Sequence, residues 1–115
     1  MDLRRYIIDA AASPRVVPPE VVSCACAELG ISATDFCDHF AKEVARAYLA
    51  EELSWLDADT AMNSLSGYFF GLPKEIPFPD YAFGVFLAFD AGEVLEAPEN
   101  ERVTKEQLVA LHAKG

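Results

Sequence analysis

Three cysteines and a histidine in the first third of the chain have the residue types of a metal site. Cys24, Cys26, Cys37 and His39 offer the sulfur and nitrogen ligands that zinc prefers. Their spacing opposes that chemistry, because residues two apart on a helix point about 200° away from each other. Neither Cys24 with Cys26 nor Cys37 with His39 can then reach one ion. We predict no metal and no other cofactor, and we interpret the cysteines as small apolar core residues.

Other patterns that support catalysis are also weak. A cysteine nucleophile needs a histidine base within reach, and the closest pair, Cys37 and His39, diverges on a helix. The triplet Asp57-Ala-Asp59 resembles a carboxylate pair that binds a metal-nucleotide, but no glycine-rich phosphate loop accompanies it. No serine lies in a nucleophile-elbow motif. We therefore predict no catalytic residues, and a small enzyme that uses paired carboxylates or a metal is the third of three alternatives.

Two polar pairs have a spacing that places each pair on one helix face. Asp59 with Asn63, and Asp90 with Glu93, are each separated by one helical turn and adjoin apolar stripes. Two interpretations are open at this point. The pairs belong to a binding surface, or they cap helices and bond to the backbone.

The charge of the chain is large and unevenly distributed. The 115 residues carry a formal net charge of -10, from 19 acids and 9 bases. Residues 51–101 hold eleven of those acids and a single base, Lys74, whereas the charges of the two flanking segments, -2 and +2, cancel. Such a surface repels phosphate backbones and anionic membranes, so direct nucleic-acid or membrane binding is not expected. It attracts a basic protein, although a solvated face that maintains solubility is the alternative interpretation.

Helical patterns dominate the elements that would position these residues. Helices are predicted over residues 2–12, closed by Ser13-Pro14, and from Pro18-Pro19 to Gly30. Ser32 is predicted to cap the next helix, and Ser54 or Asp57 the one after it. Asp80 is predicted to cap a helix over residues 81–93, and Thr104 with Gln107 to open the last helix, docked by Leu108, Val109 and Leu111.

The apolar segment Tyr81–Phe89 fits either a buried helix or a buried strand. We favour the helix, because no other segment offers a strand for pairing. The resulting fold class is all-α: a single domain over residues 1–115, formed by a bundle of about five to six short helices around a buried apolar central helix. The remaining core stripes follow helical spacing, at Phe36, Phe40, Val44, Ala47 and Tyr48, and again at Trp55, Ala58, Met62, Leu65 and Phe69.

The location of the protein is predicted from what the chain lacks. No apolar run approaches the roughly 18 residues of a membrane span. Asp2, two arginines and Asp9 do not form a secretory signal. Three cysteines, an odd number, do not form a complete disulfide set. A cytoplasmic location is expected.

Two stretches resemble segments of known proteins. Residues 55–63, WLDADTAMN, and residues 85–93, VFLAFDAGE, are similar to stretches of small acidic immunity proteins from bacterial toxin–immunity loci, including contact-dependent growth inhibition systems. The resemblance covers about residues 36–95. It implies a cytoplasmic protein that binds a cognate toxin domain, often a basic nuclease, and blocks its active site or substrate channel. No residue roles follow from it.

The leading hypothesis is an immunity or inhibitor protein that neutralises a basic, nuclease-type toxin domain by stoichiometric binding. An acidic cover complements the basic cleft that a nucleic-acid-binding toxin needs. Trp55 or Tyr81 is a plausible aromatic anchor. The alternative is a regulatory adaptor that binds a basic peptide or protein helix in a groove. The predicted partner-binding residues are Asp57, Asp59, Asp90, Glu93, Glu96 and Glu99.

Overall fold

Residues 3–12 and 15–114, which the computed structural model describes, form six α-helices and no strand. These are α1 (Arg4–Ala12), α2 (Pro19–Leu29), α3 (Ala33–Leu49), α4 (Trp55–Phe69), α5 (Asp80–Asp90) and α6 (Glu99–Lys114). The predicted all-α class is confirmed. The predicted end of the first helix at Ser13-Pro14 lies outside the described residues. Within those residues, no helix combines the length and the apolar character needed to cross a membrane.

The ends of α2, α3 and α4 follow from local sequence. The hydroxyl groups of Ser32 and Ser54 each accept a bond of 3.1 Å from the backbone N–H three residues later, at Asp35 and Asp57. These serines satisfy N–H groups that have no partner within the first helical turn. Gly30 ends α2 in the left-handed conformation, with a φ of 67°, and its N–H bonds to the Cys26 carbonyl. Ser54, rather than Asp57, is therefore the cap of α4.

The core is one cluster to which all six helices contribute. Its members include Ile7, Val22, Phe36, Met62, Val85 and Leu108, all buried. The predicted stripe of α3 is confirmed, with Phe36, Phe40, Val44, Ala47 and Tyr48 all buried. On α4, Trp55 is half-buried and the other four stripe residues are buried. On α6, Leu108 is buried, but Val109 is 61% exposed and does not dock the helix as predicted.

Helix α5 is the central element, and its helical state confirms the interpretation of residues 81–89. It packs against α3, α4 and α6, and it buries Ala82, Val85, Ala88 and Phe89. Its predicted cap, Asp80, is wrong: the capping position is Pro79, which has no side-chain acceptor. The carboxylate of Asp38, on α3, instead accepts the Ala82 N–H at 3.0 Å. A side chain 44 positions earlier in the sequence therefore supplies the hydrogen-bond acceptor for a free N–H group in the first turn of α5.

The predicted start of the last helix at Thr104 is also wrong, because α6 begins five residues earlier. Thr104 is fully buried inside the helix. Its hydroxyl donates to the Ala88 carbonyl at 2.8 Å and accepts the Trp55 indole N–H at 3.0 Å. A glycine is needed at position 92, beside this junction, because the Cβ of any other residue would lie only 2.7 Å from the Asn100 carbonyl oxygen. The hydroxyl thus joins α4, α5 and α6 through two bonds.

Replacing this hydroxyl tests its role. We expect Thr104→Val, which preserves side-chain shape, to lower the free energy of unfolding by about 1–3 kcal/mol, because two buried polar groups lose their partner. Urea denaturation measures the change. Thr104→Ser should recover most of it, and Thr60→Val, which removes a hydroxyl bonded only within α4, serves as control. A Thr104→Val loss no larger than that of the control would contradict this role.

Candidate functional site

The two polar pairs singled out in the sequence meet in the folded chain. The side-chain amide of Asn63 donates to Glu93 Oε1 at 2.8 Å and lies 3.4 Å from Asp59 Oδ2. Glu93 follows the end of α5, and a turn bonds its N–H to the Asp90 carbonyl at 3.1 Å. Asp59, Asp90 and Glu93, with Asn63, therefore form one group, which we call the carboxylate cluster. Capping does not explain the two pairs.

Asp59 is the unusual member of the carboxylate cluster. Only 8% of the residue is exposed, and its Oδ1 has no hydrogen-bond partner among the described residues. Burial, a hydrogen bond with Glu93 and the charges of Glu93 and Asp90 raise the pKa of Asp59 to about 7. Desolvation and Glu93 also raise the pKa of Asp90. At neutral pH, part of the population therefore retains a proton on the cluster.

The cluster receives no cation from the described part of the chain. Only burial and neighbouring acids shift the pKa values of Asp59 and Asp90, and the ion pairs of Arg5, Arg46 and Arg102 are made with other acids. Arg46, for example, pairs with Glu43 at 2.5 Å and with Glu52 at 3.0 Å. The three carboxyl groups thus lie close together with a single amide between them. Their mutual repulsion would be relieved by a nearby cation.

The other predicted partner-binding residues lie apart from the carboxylate cluster. Asp57 is exposed in the first turn of α4, on a different face from Asp59, because two residues separate them by about 200°. Glu96 is exposed in the loop between α5 and α6. Glu99, the first residue of α6, pairs with Arg102 at 2.6 Å. The structure unites Asp59, Asp90 and Glu93 and leaves these three as separate surface charges.

A group of exposed and half-buried phenylalanines was missed by the sequence reasoning. Phe70, Phe78, Phe83 and Phe86 contact one another with ring centroids 5.6–6.3 Å apart, and we call them the aromatic patch. Phe70 is 55% exposed and Phe78 41%. The expected anchors have other contacts. Trp55 bonds to Thr104, and Tyr81 stacks on His112, with 2.8 Å between its hydroxyl and Nε2.

The interpretation of the cysteines as core residues is correct for Cys37 and wrong for Cys24, because helical spacing turns neighbouring cysteines to different faces. Cys24 is exposed, Cys26 is half-buried and Cys37 is buried. Burial is the main cause that raises the pKa of Cys37 to about 12. Across residues 3–12 and 15–114, no group of three or more His, Cys, Asp or Glu side chains is arranged to hold a metal ion.

A separate groove of about 840 Å³ lies between α3 and the end of α6. Two bases and both histidines of the chain border it, together with one acid and an apolar floor. The lining residues are Asp38, His39, Lys42, Arg46, Leu49, Ala50, Tyr81, Leu111 and His112. Its charge is therefore opposite in character to that of the carboxylate cluster.

The raised pKa of Asp59 predicts a pH dependence of stability. An acid whose pKa rises from 3.8 to about 7 on folding holds its proton more tightly in the folded chain. Its contribution therefore destabilises the fold progressively as the pH rises from about 4 to about 7. We expect Asp59→Asn to remove this destabilising contribution. The free energy of unfolding of the variant should then exceed that of the parent by about 1–3 kcal/mol between pH 5 and pH 8.

Urea unfolding across that pH range measures the difference. Asp57→Asn, which removes an exposed carboxylate from the same helix, is the matched control for the loss of one negative charge. Parallel stability curves for Asp59→Asn and the parent would contradict the raised pKa.

Thiol labelling tests the placement of the cysteines. We expect Cys24 to react rapidly with an aromatic disulfide reagent, because it is exposed. Cys37 should react at least about a hundredfold more slowly in the folded chain, since burial and a high pKa both suppress its thiolate. Mass spectrometry of the labelled peptides identifies the sites, and urea should equalise the rates. Rapid labelling of Cys37 without urea would contradict its burial.

Comparison of the chain with protein-family models, with curated proteins and with solved structures found no match. No activity or binding partner can therefore be transferred from a relative. The carboxylate cluster and the aromatic patch are the features of the chain itself from which a function can be inferred.

Proposed function

We propose that this chain is an inhibitor of the immunity type, which binds a basic partner protein stoichiometrically through its acidic surface. The observation that carries the proposal is the buried carboxyl of Asp59, which lies near the carboxyl groups of Asp90 and Glu93. Its Oδ1 has no hydrogen-bond partner among the described residues. A cation from a partner relieves this repulsion. Because the carboxyl groups repel each other in the free chain, relief of that repulsion favours the bound state.

The exposed members of the cluster make the contact in this proposal. Asp90 and Glu93 are exposed and receive an Arg or Lys side chain of the partner. Asp59, beneath them, ionises in response to the new positive charge. Asp57, Glu96 and Glu99 extend the negative field and steer the approach of the partner.

The partner class follows from the charge and from the resemblance to toxin–immunity proteins. A nuclease-type toxin domain carries a basic cleft for its substrate, and a cover with eleven acids and one base in residues 51–101 complements that cleft. Such a protein acts in the cytoplasm, where a nuclease toxin meets its substrates.

The other two functions have less support. An adaptor that binds a basic peptide needs an acidic groove, and the groove between α3 and α6 is bordered by Lys42 and Arg46. A carboxylate-pair enzyme needs its acid to reach substrate, and Asp59 is 8% exposed with a fully covered Oδ1. The inhibitor is therefore the proposal that we pursue.

Isolation of the partner tests the function directly. The tagged chain, expressed in its native host, should co-purify with one basic protein in a complex of fixed stoichiometry. Expression of that partner alone should impair growth, and co-expression of this chain should restore it. A stable partner whose activity this chain leaves unchanged would contradict inhibition.

Charge reversal tests the surface. In the double variant Asp90→Lys with Glu93→Lys, we expect association with that partner to slow at least about tenfold at low ionic strength, because electrostatic steering is lost. The rate should also depend less on salt. Stopped-flow measurements over a range of sodium chloride concentrations give both quantities.

The control is a second double variant with the same change of net charge, placed away from the carboxylate cluster. Asp9→Lys with Glu20→Lys reverses two exposed acids on α1 and α2. It should slow association far less. Equal effects of the two double variants would mean that net charge, and not the carboxylate cluster, governs binding.

A further inference from the structure

The aromatic patch lies at the edge of the core: Phe83 and Phe86 are half-buried against it, and Phe70 and Phe78 are exposed. Phe69 lies beneath it, buried, and contacts Phe70, Phe78 and Phe86 with centroids 4.9–6.3 Å apart. The outer rings remain accessible, with Phe70 55% and Phe78 41% exposed. Leu87, one turn from Phe83, is 41% exposed and enlarges the apolar area. Contiguous exposed apolar area of this kind marks interaction sites.

The patch and the carboxylate cluster occupy the same side of two antiparallel helices. Phe70, at the end of α4, contacts Phe83 and Phe86 near the start of α5, whereas Asn63 contacts Glu93 beyond its end. Asn63 and Phe70 are seven residues apart, as are Phe83 and Asp90. Seven residues are two helical turns, so each pair shares a helix face and spans about 10 Å.

We propose that the aromatic patch and the carboxylate cluster form one continuous docking surface for a segment of the basic partner. That segment carries a large apolar side chain about 10 Å from an Arg or Lys side chain. The apolar side chain packs among Phe70, Phe78 and Phe83, and the cation lies against Asp90 and Glu93. This inference rests on the proposed function and specifies the chemistry that the partner must present.

Two features of the free chain favour this occupant. The acidic end attracts a cation, because the exposed carboxyl groups of Asp90 and Glu93 lie beside the buried carboxyl of Asp59, and none of the three takes part in the ion pairs of Arg5, Arg46 and Arg102. The aromatic end gives that contact an anchor that excludes water, and both charge-assisted and apolar contacts strengthen when water is excluded.

A second copy of this chain does not match the surface. Two-fold pairing uses the same surface on both copies, so the carboxylate cluster of each copy would meet no base from that surface. The segment that supplies the surface holds eleven acids and one base. Self-association through the patch is therefore disfavoured, and it is an outcome that the test distinguishes.

Designed peptides provide the probe. The parent peptide is a helix of alanine and glutamine that carries one leucine and one arginine seven residues apart. Two further peptides replace the leucine with serine or the arginine with glutamine. Titration into isotope-labelled protein, followed by amide chemical shifts, gives both the affinity and the binding site.

We expect the parent peptide to shift the resonances of Phe70, Phe83 and Glu93 and of the Asn63 side-chain amide. Each substituted peptide should bind about tenfold more weakly, as expected for one buried apolar side chain or one charge-assisted contact. Equal binding of the serine peptide would overturn the proposal. Shifts confined to the groove around His39 and His112, concentration-dependent self-association through the patch, or no binding at millimolar peptide would also overturn it.

Variants of the protein separate this inference from the proposed function. Phe70→Ser should weaken the parent peptide about tenfold, and Phe78→Ser, in the loop before α5, gives a second variant if the first fails to fold. Val109→Ser, which removes a 61% exposed side chain from α6, is the matched control.

The two ideas fail in different ways. If Asp90→Lys with Glu93→Lys weakens the native complex but neither phenylalanine variant does, the acidic surface stands and the aromatic half is wrong. If the native complex tolerates the charge reversal as well, the proposed function itself fails.

Discussion

Helix α5 has more apolar faces than the neighbouring helices cover. Three helices pack around it and bury Ala82, Val85, Ala88 and Phe89, and this packing is what makes an eleven-residue helix stable. Its two ends depend on side chains from elsewhere: Asp38 accepts the Ala82 N–H, and Thr104 donates to the Ala88 carbonyl. The face that remains carries Phe83, Phe86 and Asp90. The candidate docking surface therefore follows from the way in which the core is assembled.

The electrostatics of the chain depend on the same packing. Because α4 and α5 run antiparallel, the first half of α4 meets the end of α5, and Asp59 is buried against Asp90 and Glu93. Arg46 and Arg102 pair with acids on or beside their own helices and leave the carboxylate cluster without a cation. A base at this position would stabilise the free chain, and in the proposed complex the partner supplies that base.

Local pattern was sufficient for most of the fold and for half of the site. The caps at Ser32 and Ser54, the stripe of α3 and the pairing of Asp59 with Asn63 all arise within one or two turns of helix. The errors arose where the deciding contact is distant in sequence. Thr104 and Gln107 have the spacing of a capping box, yet the Thr104 hydroxyl forms its hydrogen bonds with Trp55 and Ala88. The aromatic patch was missed because an all-round apolar α5 does not reveal which face its neighbours leave open.

In the proposed complex, the aromatic patch and the carboxylate cluster contribute differently to binding. Exposed acids act over several ångströms, so they increase the rate of encounter and lose their effect in salt. Aromatic contacts act only once water has been expelled, so they determine how long the complex lasts. An inhibitor needs both properties, since it must reach its target early and then remain bound. The seven-residue spacing that aligns Phe70 with Asn63 and Phe83 with Asp90 is the structural feature by which, in this proposal, one partner segment contacts both halves at once.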